Sequence, residues 1–313
     1  MLDAVIVGGG PAGLNAALFL GRCRRSVLLV DAGQPRNARS RWVSGFLSRD
    51  GTEPAELRRL AREDVARYPS VTLREGEVTA ARTLPDGFEV ELADGERVRS
   101  RKLVLATGLE NDCPDLPDAR RFYGRGVYPC PYCDGWEHRD EPVIAYGRGR
   151  SGRAMALEMT VWTSDILLLT DGPSELSAAD RHELARHRIA VEEAPVAALE
   201  GDPDGDGLAR VRLADGRAIA RRALFYAFEA CRTPPLAHML GCDLGETGAV
   251  KTGPGERTNV PGLFVAGDAS RRVKFAIVAA GEGAMAAFAL NTELLQDDLR
   301  RRRTKGDPEQ DAA

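Results

Sequence analysis

Short apolar runs, glycine-rich turns and helical stretches alternate along the chain. AlaValIleVal at 4–7 is followed by Gly8, Gly10 and Gly13, then by a helical run from Pro11 through Ala12 to Leu20. SerValLeuLeuVal at 26–30 then ends in Asp31. Strand, glycine turn, helix, strand and acid in that order predict a βαβ unit built to hold a dinucleotide, and the context makes a weak motif specific. The same order returns later. ProValIleAlaTyr at 142–146 runs into Gly147, Gly149 and Gly152, a helix follows, and IleLeuLeuLeuThr at 166–170 ends in Asp171.

The repetition continues past these units. LeuAlaAspGly at 92–95 recurs at 213–216, each time as a hairpin turn between alternating segments, and each copy then reaches a last apolar strand, ending near Ala106 and Ala227. A tail from Gly262 through LeuPheValAlaGlyAspAla to a helix around 276–295 has no counterpart in the second copy and is expected to return to the first. The predicted fold is therefore α/β, with two Rossmann-like nucleotide-binding domains of three-layer β/β/α build, the second inserted in the first. The expected boundaries are 1–112 with 247–313 for the first domain and 113–246 for the second. The charge-rich end, from Asp297 through four arginines, reads as a fraying helix end and a loose tail.

Length and composition agree with two domains in a globular protein: 313 residues, 43% apolar and 29% charged. A net charge of -4 gives no field to gather nucleic acid or an anionic membrane, so neither is an expected partner. Met1 leads straight into an apolar strand with no room for a secretory signal, and the late apolar stretch 275–290 carries Glu282 and glycines that argue against a membrane span. A cytoplasmic protein is expected. Six cysteines with one close pair do not form a secreted disulfide scaffold; such a pair is catalytic or metal-binding.

That pair, Cys130 and Cys133, lies in ProCysProTyrCysAspGlyTrpGlu at 129–137. Its C-x-x-C spacing closes a small disulfide, and one thiol of such a pair commonly ionises near neutral pH. A zinc site completed by His138 and Cys113 lacks the second tight ligand pair, so no metal is expected. Cys23, Cys113, Cys231 and Cys242 lack any such setting and are expected to be inert. His182, His187 and His238 read as ordinary surface or core residues. For His138 proton transfer stays open, and for Arg148, Arg150 and Arg153 both phosphate binding and plain solvation stay open.

Two glycine fingerprints with a Cys-x-x-Cys-Asp-Gly just ahead of the second resemble thioredoxin reductase, over nearly the whole chain. The resemblance implies an FAD-dependent disulfide oxidoreductase, a homodimer, and FAD at the first fingerprint. Gly8, Gly10, Pro11, Ala12, Gly13 and Asp31 would then take the adenosine and pyrophosphate. Ala106, Thr107 and Gly108 would flank the cofactor with Gly267 and Asp268, the latter on the ribityl chain, and the helix from Ala276 would aim its N-terminus at the ring. Cys133 would face the flavin, Cys130 would exchange with a disulfide or dithiol, and Asp134 would relay protons. Gly147, Gly149, Gly152 and Asp171 would hold NAD(P)H. The NADPH-using reductases carry His-Arg-Arg after the second strand of this domain. Here Thr170, Asp171 and Gly172 stand instead, which favours NADH.

The gliotoxin and holomycin dithiol oxidases are similar in fold and cysteine pair, and GlyPheLeuSerArgAspGly at 45–51 and GlyTrpGlu at 135–137 are similar to segments of that branch. Those enzymes often place His after the second cysteine, where this chain has Asp134. Three function classes follow: an NAD(P)H-driven disulfide reductase, an oxygen-dependent dithiol oxidase, and a non-enzymatic flavin or nucleotide sensor. Nothing in the residues separates a thioredoxin-like protein substrate from a small molecule.

Overall fold

The computed structural model describes residues 1–109, 113–202, 205–227, 235–270 and 273–306. The chain forms two compact units, Met1–Arg36 with Ala55–Glu110 and Cys231–Ala313, and Asn37–Pro54 with Asn111–Ala230. Cys231 itself lies outside the described residues.

The first unit opens with β1 (Leu2–Val7), α1 (Pro11–Arg22), β2 (Val27–Asp31), α2 (Pro54–Ala66) and β3 (Val71–Glu75), followed by the meander β4 (Val78–Leu84), β5 (Gly87–Leu92) and β6 (Arg97–Leu105). β1 pairs in parallel with β2 and β6, and β2 with β3, while β5 runs antiparallel to both β6 and β4.

The second unit contains β7 (Val127–Tyr128), α3 (Pro131–Asp134), β8 (Val143–Tyr146), α4 (Gly149–Glu158), β9 (Ile166–Leu169), α5 (Ala178–Arg186) and β10 (Ala190–Glu192). The meander β11 (Val196–Gly201), β12 (Leu208–Leu213) and β13 (Ala218–Ile219) follows, then β14 (Ala223–Tyr226). Its parallel sheet has the order β10-β9-β8-β14-β7. The chain returns to the first unit with α6 (Pro235–Met239), β15 (Leu263–Val265), which pairs in parallel with β6, and α7 (Ala276–Gly306).

Each unit has the expected three layers, because successive residues of a strand face opposite sides. In the first, Ala4, Ile6 and Leu29 pack with Ala16, Leu20 and Leu290 of the helices, whereas Val5, Val7 and Leu28 pack with Phe88, Val90 and Leu92 of the meander. In the second, Val143, Ala145 and Leu168 meet Met155 and Leu184 of α4 and α5, and Ile144, Leu169 and Leu224 meet Leu199, Val211 and Leu213 of the meander. The two LeuAlaAspGly turns close identically: the glycine N–H donates to the leucine carbonyl, Gly95 to Leu92 at 2.9 Å and Gly216 to Leu213 at 3.0 Å.

Three expectations need correction. The stretch 235–246 does not belong with the second unit: Leu236, Leu240 and Cys242 are buried against the first sheet, so the return comes near 231 and not at 247. Residues 37–54 group with the second unit. The charged helix end is not frayed at Asp298, which pairs with Arg25 and Arg101, each at 2.7 Å, and α7 continues to Gly306; the tail expected to be loose, 307–313, lies outside the described residues. Among the described residues no helix is long and apolar enough to cross a membrane.

Candidate functional site

At the end of β1 the backbone enters a turn with Gly8 at φ 111°. A Cβ there would strike the Ala106 carbonyl, and one on Gly13 would strike the Gly8 carbonyl, so both glycines are needed for α1, β1 and β6 to approach. Gly10 differs: it caps α1 with no side-chain hydrogen bond, Pro11 occupies the first turn, and a Cβ on Gly10 would meet nothing within 4 Å. The positive end of α1, beginning Pro11, Ala12 and Gly13, therefore opens onto free space of the kind a pyrophosphate fills.

Asp31 ends β2 beside this turn and is buried. One of its oxygens accepts from the Gly33 N–H at 3.0 Å, and the other accepts from Arg58 at 3.0 Å and Arg62 at 3.2 Å. Ala106, Thr107 and Gly108 leave β6 against Gly8. Gly267, at φ 84°, lies close enough to Ala12 that a Cβ would come within 3.1 Å of the alanine methyl. Asp268 pairs with Arg36 at 2.9 Å, and Ala276 opens α7. The first set of predicted residues is thus gathered around an open helix end, an arrangement that fits FAD.

The second glycine turn has the same construction and a different occupancy. A Cβ on Gly147 would sit 3.0 Å from the Gly152 Cα, and one on Gly152 would strike the Gly147 carbonyl. The Gly149 N–H, however, donates to the Ser174 carbonyl at 2.7 Å, and a Cβ on Gly149 would lie 3.9 Å from the Glu175 Oε2. Asp171 emerges where Asp31 does, with one oxygen accepting the Val196 N–H at 2.6 Å. Arg148 donates to the Thr170 carbonyl at 2.8 Å and to that of Asp171; Arg153 pairs with Asp180 at 3.2 Å and with Glu183. Neither of these arginines is spare for a phosphate, and Arg150 is exposed. In this conformation the turn does not fit a bound dinucleotide, because its phosphate-facing amide is already satisfied by the chain.

Cys130 and Cys133 are joined by a disulfide, with Cα atoms 5.3 Å apart. Cys130 is the N-cap of α3, and Pro131, pre-set to a helical φ, follows in the first turn, so the short helix brings the second sulfur back to the first. Asp134 ends that helix. Burial, and then the charge of Glu137, push its carboxyl up to about 7. Beneath lies Tyr128, whose hydroxyl is pushed up to about 12, chiefly by burial and next by Asp134. The His138 ring stands 5.1 Å from that of Tyr128, with its Nδ1 3.1 Å from Glu141. Tyr132 and Trp136 are exposed at 63% and 66%, and Arg139 covers Trp136 at 4.2 Å, so the disulfide is bordered by an accessible aromatic and cationic surface.

Among the described residues no three His, Cys, Asp or Glu side chains converge on a metal position. Cys23 is exposed, Cys113 partly buried and Cys242 buried. His182, His187 and His238 are exposed on or beside α5 and α6. Sequence reasoning missed Arg36, Arg58, Arg62 and the Ser174–Glu175 pair, which carry no motif. It also missed a role for Glu282, although a lone acid inside an apolar helix is itself a signal: buried, it accepts the Gly267 N–H at 2.7 Å.

A family model described as pyridine nucleotide-disulphide oxidoreductase matches residues 2–283. The chain is 32% identical to a protein named probable thioredoxin reductase from Arthroderma benhamiae, over 94% of this chain and 81% of the relative. It is 32% identical to thioredoxin reductase tcpT of Claviceps purpurea over 95% of each. Among solved structures, HlmI superposes with a TM-score of 0.90 at 36% identity, covering 97% of this chain and 96% of that one. A putative thioredoxin reductase TrxB from Bacillus anthracis gives a TM-score of 0.89 at 31% identity, over 95% and 100%.

Proposed function

Because the chain belongs to the pyridine nucleotide-disulphide oxidoreductase family, as a thioredoxin reductase-like enzyme, we propose that it moves electron pairs between FAD and a disulfide or dithiol through Cys130 and Cys133. Family membership implies FAD and NAD(P)H as cofactors. The observation that carries the proposal is the disulfide on α3 with a proton-holding acid one residue beyond it.

When bound, FAD supplies the two-electron redox step. The N-terminus of α1 would hold its pyrophosphate, Asp31 its ribose hydroxyls, and Asp268 its ribityl chain. The cysteines do the exchange. A substrate thiolate attacks the Cys130 sulfur, the Cys130–Cys133 bond breaks, and Cys133 leaves as a thiolate. The second substrate thiol gives up its proton and displaces Cys130, so a disulfide is released and the enzyme pair has gained two electrons. Run backwards, the same steps reduce a disulfide. Asp134, poised near neutrality, takes or returns a proton in either direction.

The oxidase direction, with dioxygen as the final acceptor of the electron pair, is the second reading, and the closed amide of Gly149 favours it, since a dithiol can reduce the pair with no pyridine nucleotide. Any nucleotide admitted is NADH in preference to NADPH, on the carboxylate of Asp171. The substrate is a thioredoxin-like protein or a small molecule presented to the aromatic border. The domain holding the first turn is the FAD domain, and the one holding the cysteines is the NAD(P) domain. A cytoplasmic setting suits the free thiols Cys23 and Cys242 in a chain with a redox pair.

A homodimer is supported by α7, where Gly281, Met285, Phe288, Leu295 and Leu299 lie exposed at heptad spacing with half-buried Thr292 between them. The deciding test is anaerobic mixing of the yellow protein with a dithiol or with NADH while flavin absorbance is followed. Cys130→Ser and Cys133→Ser should each keep FAD and lose dithiol and disulfide turnover. Full turnover in either variant would remove the proposal.

A further inference from the structure

The segment after β9 is fixed over the second glycine turn from several sides. Asp171 and Glu175 both take left-handed backbone, at φ 49° and 56°, which non-glycine residues keep only where surroundings impose it. The surroundings here are specific. Glu193 accepts the Ser174 N–H at 2.9 Å and pairs with Arg181 at 2.7 Å, while Arg181 also donates to the Ser174 hydroxyl at 2.7 Å. The bonds from Ser174, and then Arg181, hold the Glu193 carboxyl down to about 2, so the clamp is charged at any physiological pH. Ser174 is 1% exposed. Its carbonyl is thereby aimed at Gly149, and the Glu175 carboxylate stands beside the start of α4.

In a glycine fingerprint the second glycine is the one whose backbone faces the pyrophosphate. A carbonyl dipole and a carboxylate at that point oppose an anion on both counts. We propose that the segment 171–177 is a latch: pyridine dinucleotide enters only when Ser174 releases the Gly149 N–H, and the Glu175 charge sets how weakly it binds. Glu175 is then an affinity-determining residue of the second site, and Glu193 with Arg181 a positioning pair that keeps the latch shut. The inference rests on that turn being the family's nucleotide site. It is independent of the direction in which the cysteines work.

The test uses the FAD-bound protein with ADP-ribose as the probe, read by calorimetry. ADP-ribose carries the pyrophosphate and both riboses but no nicotinamide, so binding is measured apart from redox chemistry. Glu175→Gln keeps the shape of the side chain and removes its charge. It should tighten ADP-ribose by roughly five- to tenfold, the scale of one like-charge contact in partly solvated surroundings. Glu193→Gln, which loosens Ser174, should tighten it further when combined with Glu175→Gln. Hydrogen exchange in the peptide 147–152 should be slow in the unliganded native protein and faster in Glu193→Gln. Equal affinity in native protein and Glu175→Gln, or native exchange already fast at 147–152, overturns the latch. Absence of ADP-ribose binding in every variant at millimolar concentration overturns the site itself, while dithiol turnover by Cys130 and Cys133, assayed separately, reports on the enzyme reading.

Discussion

The Glu282 carboxylate, buried in α7, accepts the backbone N–H of Gly267 at 2.7 Å. This bond ties the long last helix to the loop that carries Asp268, next to the open end of α1. A buried N–H left without its acceptor costs about 1–3 kcal/mol, and the loop would then move away from Ala12. Glu282→Ala should therefore lower unfolding free energy by about that amount and lower FAD occupancy in the purified protein. Glu282→Gln retains an acceptor and should lose less. Chemical denaturation with absorbance at the flavin band checks both, and unchanged occupancy in the alanine variant would show that the loop holds itself.

Asp134 gives a pH prediction whose sign follows from its position. Burial raises its carboxyl from the usual 3.8 to about 7 in the folded protein, so between those values the folded chain binds more proton than the unfolded chain. Its contribution to stability is complete at low pH and is lost as pH rises through about 7. Asp134→Asn cannot ionise, so its gain in stability relative to the native oxidised protein should be largest at pH 8 and smaller at pH 5. The same variant should lose the inflection near pH 7 in the rate of dithiol exchange. Melting temperatures of the two proteins across pH 5–8 decide the first point and a pH–rate profile the second.

Much of this was legible because parallel strands buried on both faces read as continuous apolar runs, and because glycines at a close crossing have no substitute. Gly8, Gly13, Gly147 and Gly152 announced their turns for that reason. The repeated LeuAlaAspGly turns likewise declared the two meanders. What the sequence could not show was pairing at a distance. Asp31 looks like a free carboxylate in the sequence, and only the fold brings Arg58 and Arg62 onto it from α2. The return near 231 is not legible in the sequence because residues 235–246 are too short and mixed to show a periodicity of their own, and burial of Leu236 and Leu240 under the first sheet decides where they belong. The closure at Gly149 depends on a backbone carbonyl, which no residue identity encodes.

The exposed seam of α7 predicts self-association. Phe288 is 72% exposed, with Met285 one step before it and Leu295 one heptad after it on the same face. Burying one such aromatic contributes about 1.5–3 kcal/mol, and a two-fold contact counts it twice. Phe288→Glu places two carboxylates at that contact and should shift the protein from dimer to monomer in sedimentation velocity at micromolar concentration. The FAD content of the monomer should be intact, since the face of α7 that packs in the first unit is the other one, with Ala286, Ala287 and Leu290.

The last prediction concerns the choice between NADH and NADPH, and it turns on which oxygen of Asp171 is free. One oxygen accepts the Val196 N–H at 2.6 Å and so anchors the end of β9 to the start of β11. The other oxygen would be the group to meet a ribose, since Asp171 ends its βαβ unit as Asp31 ends that of the first unit. A carboxylate accepts bonds from ribose hydroxyls but repels a 2'-phosphate and offers it no donor. The neighbouring Arg148 is already committed to the carbonyls of Thr170 and Asp171, and Arg153 to Asp180 and Glu183, so neither supplies the missing positive charge. An unpaired phosphate beside a carboxylate should cost about 1–3 kcal/mol, or roughly ten- to a hundredfold in affinity. Arginine at this position would confuse the test by breaking the Val196 bond. Asp171→Asn keeps an oxygen for Val196 and removes only the charge. Binding of NADH and NADPH should favour NADH in the native protein, and the ratio should fall by about tenfold in Asp171→Asn. A native preference for NADPH, or a ratio that does not move, would show that Asp171 serves the fold through Val196 and does not read the ribose.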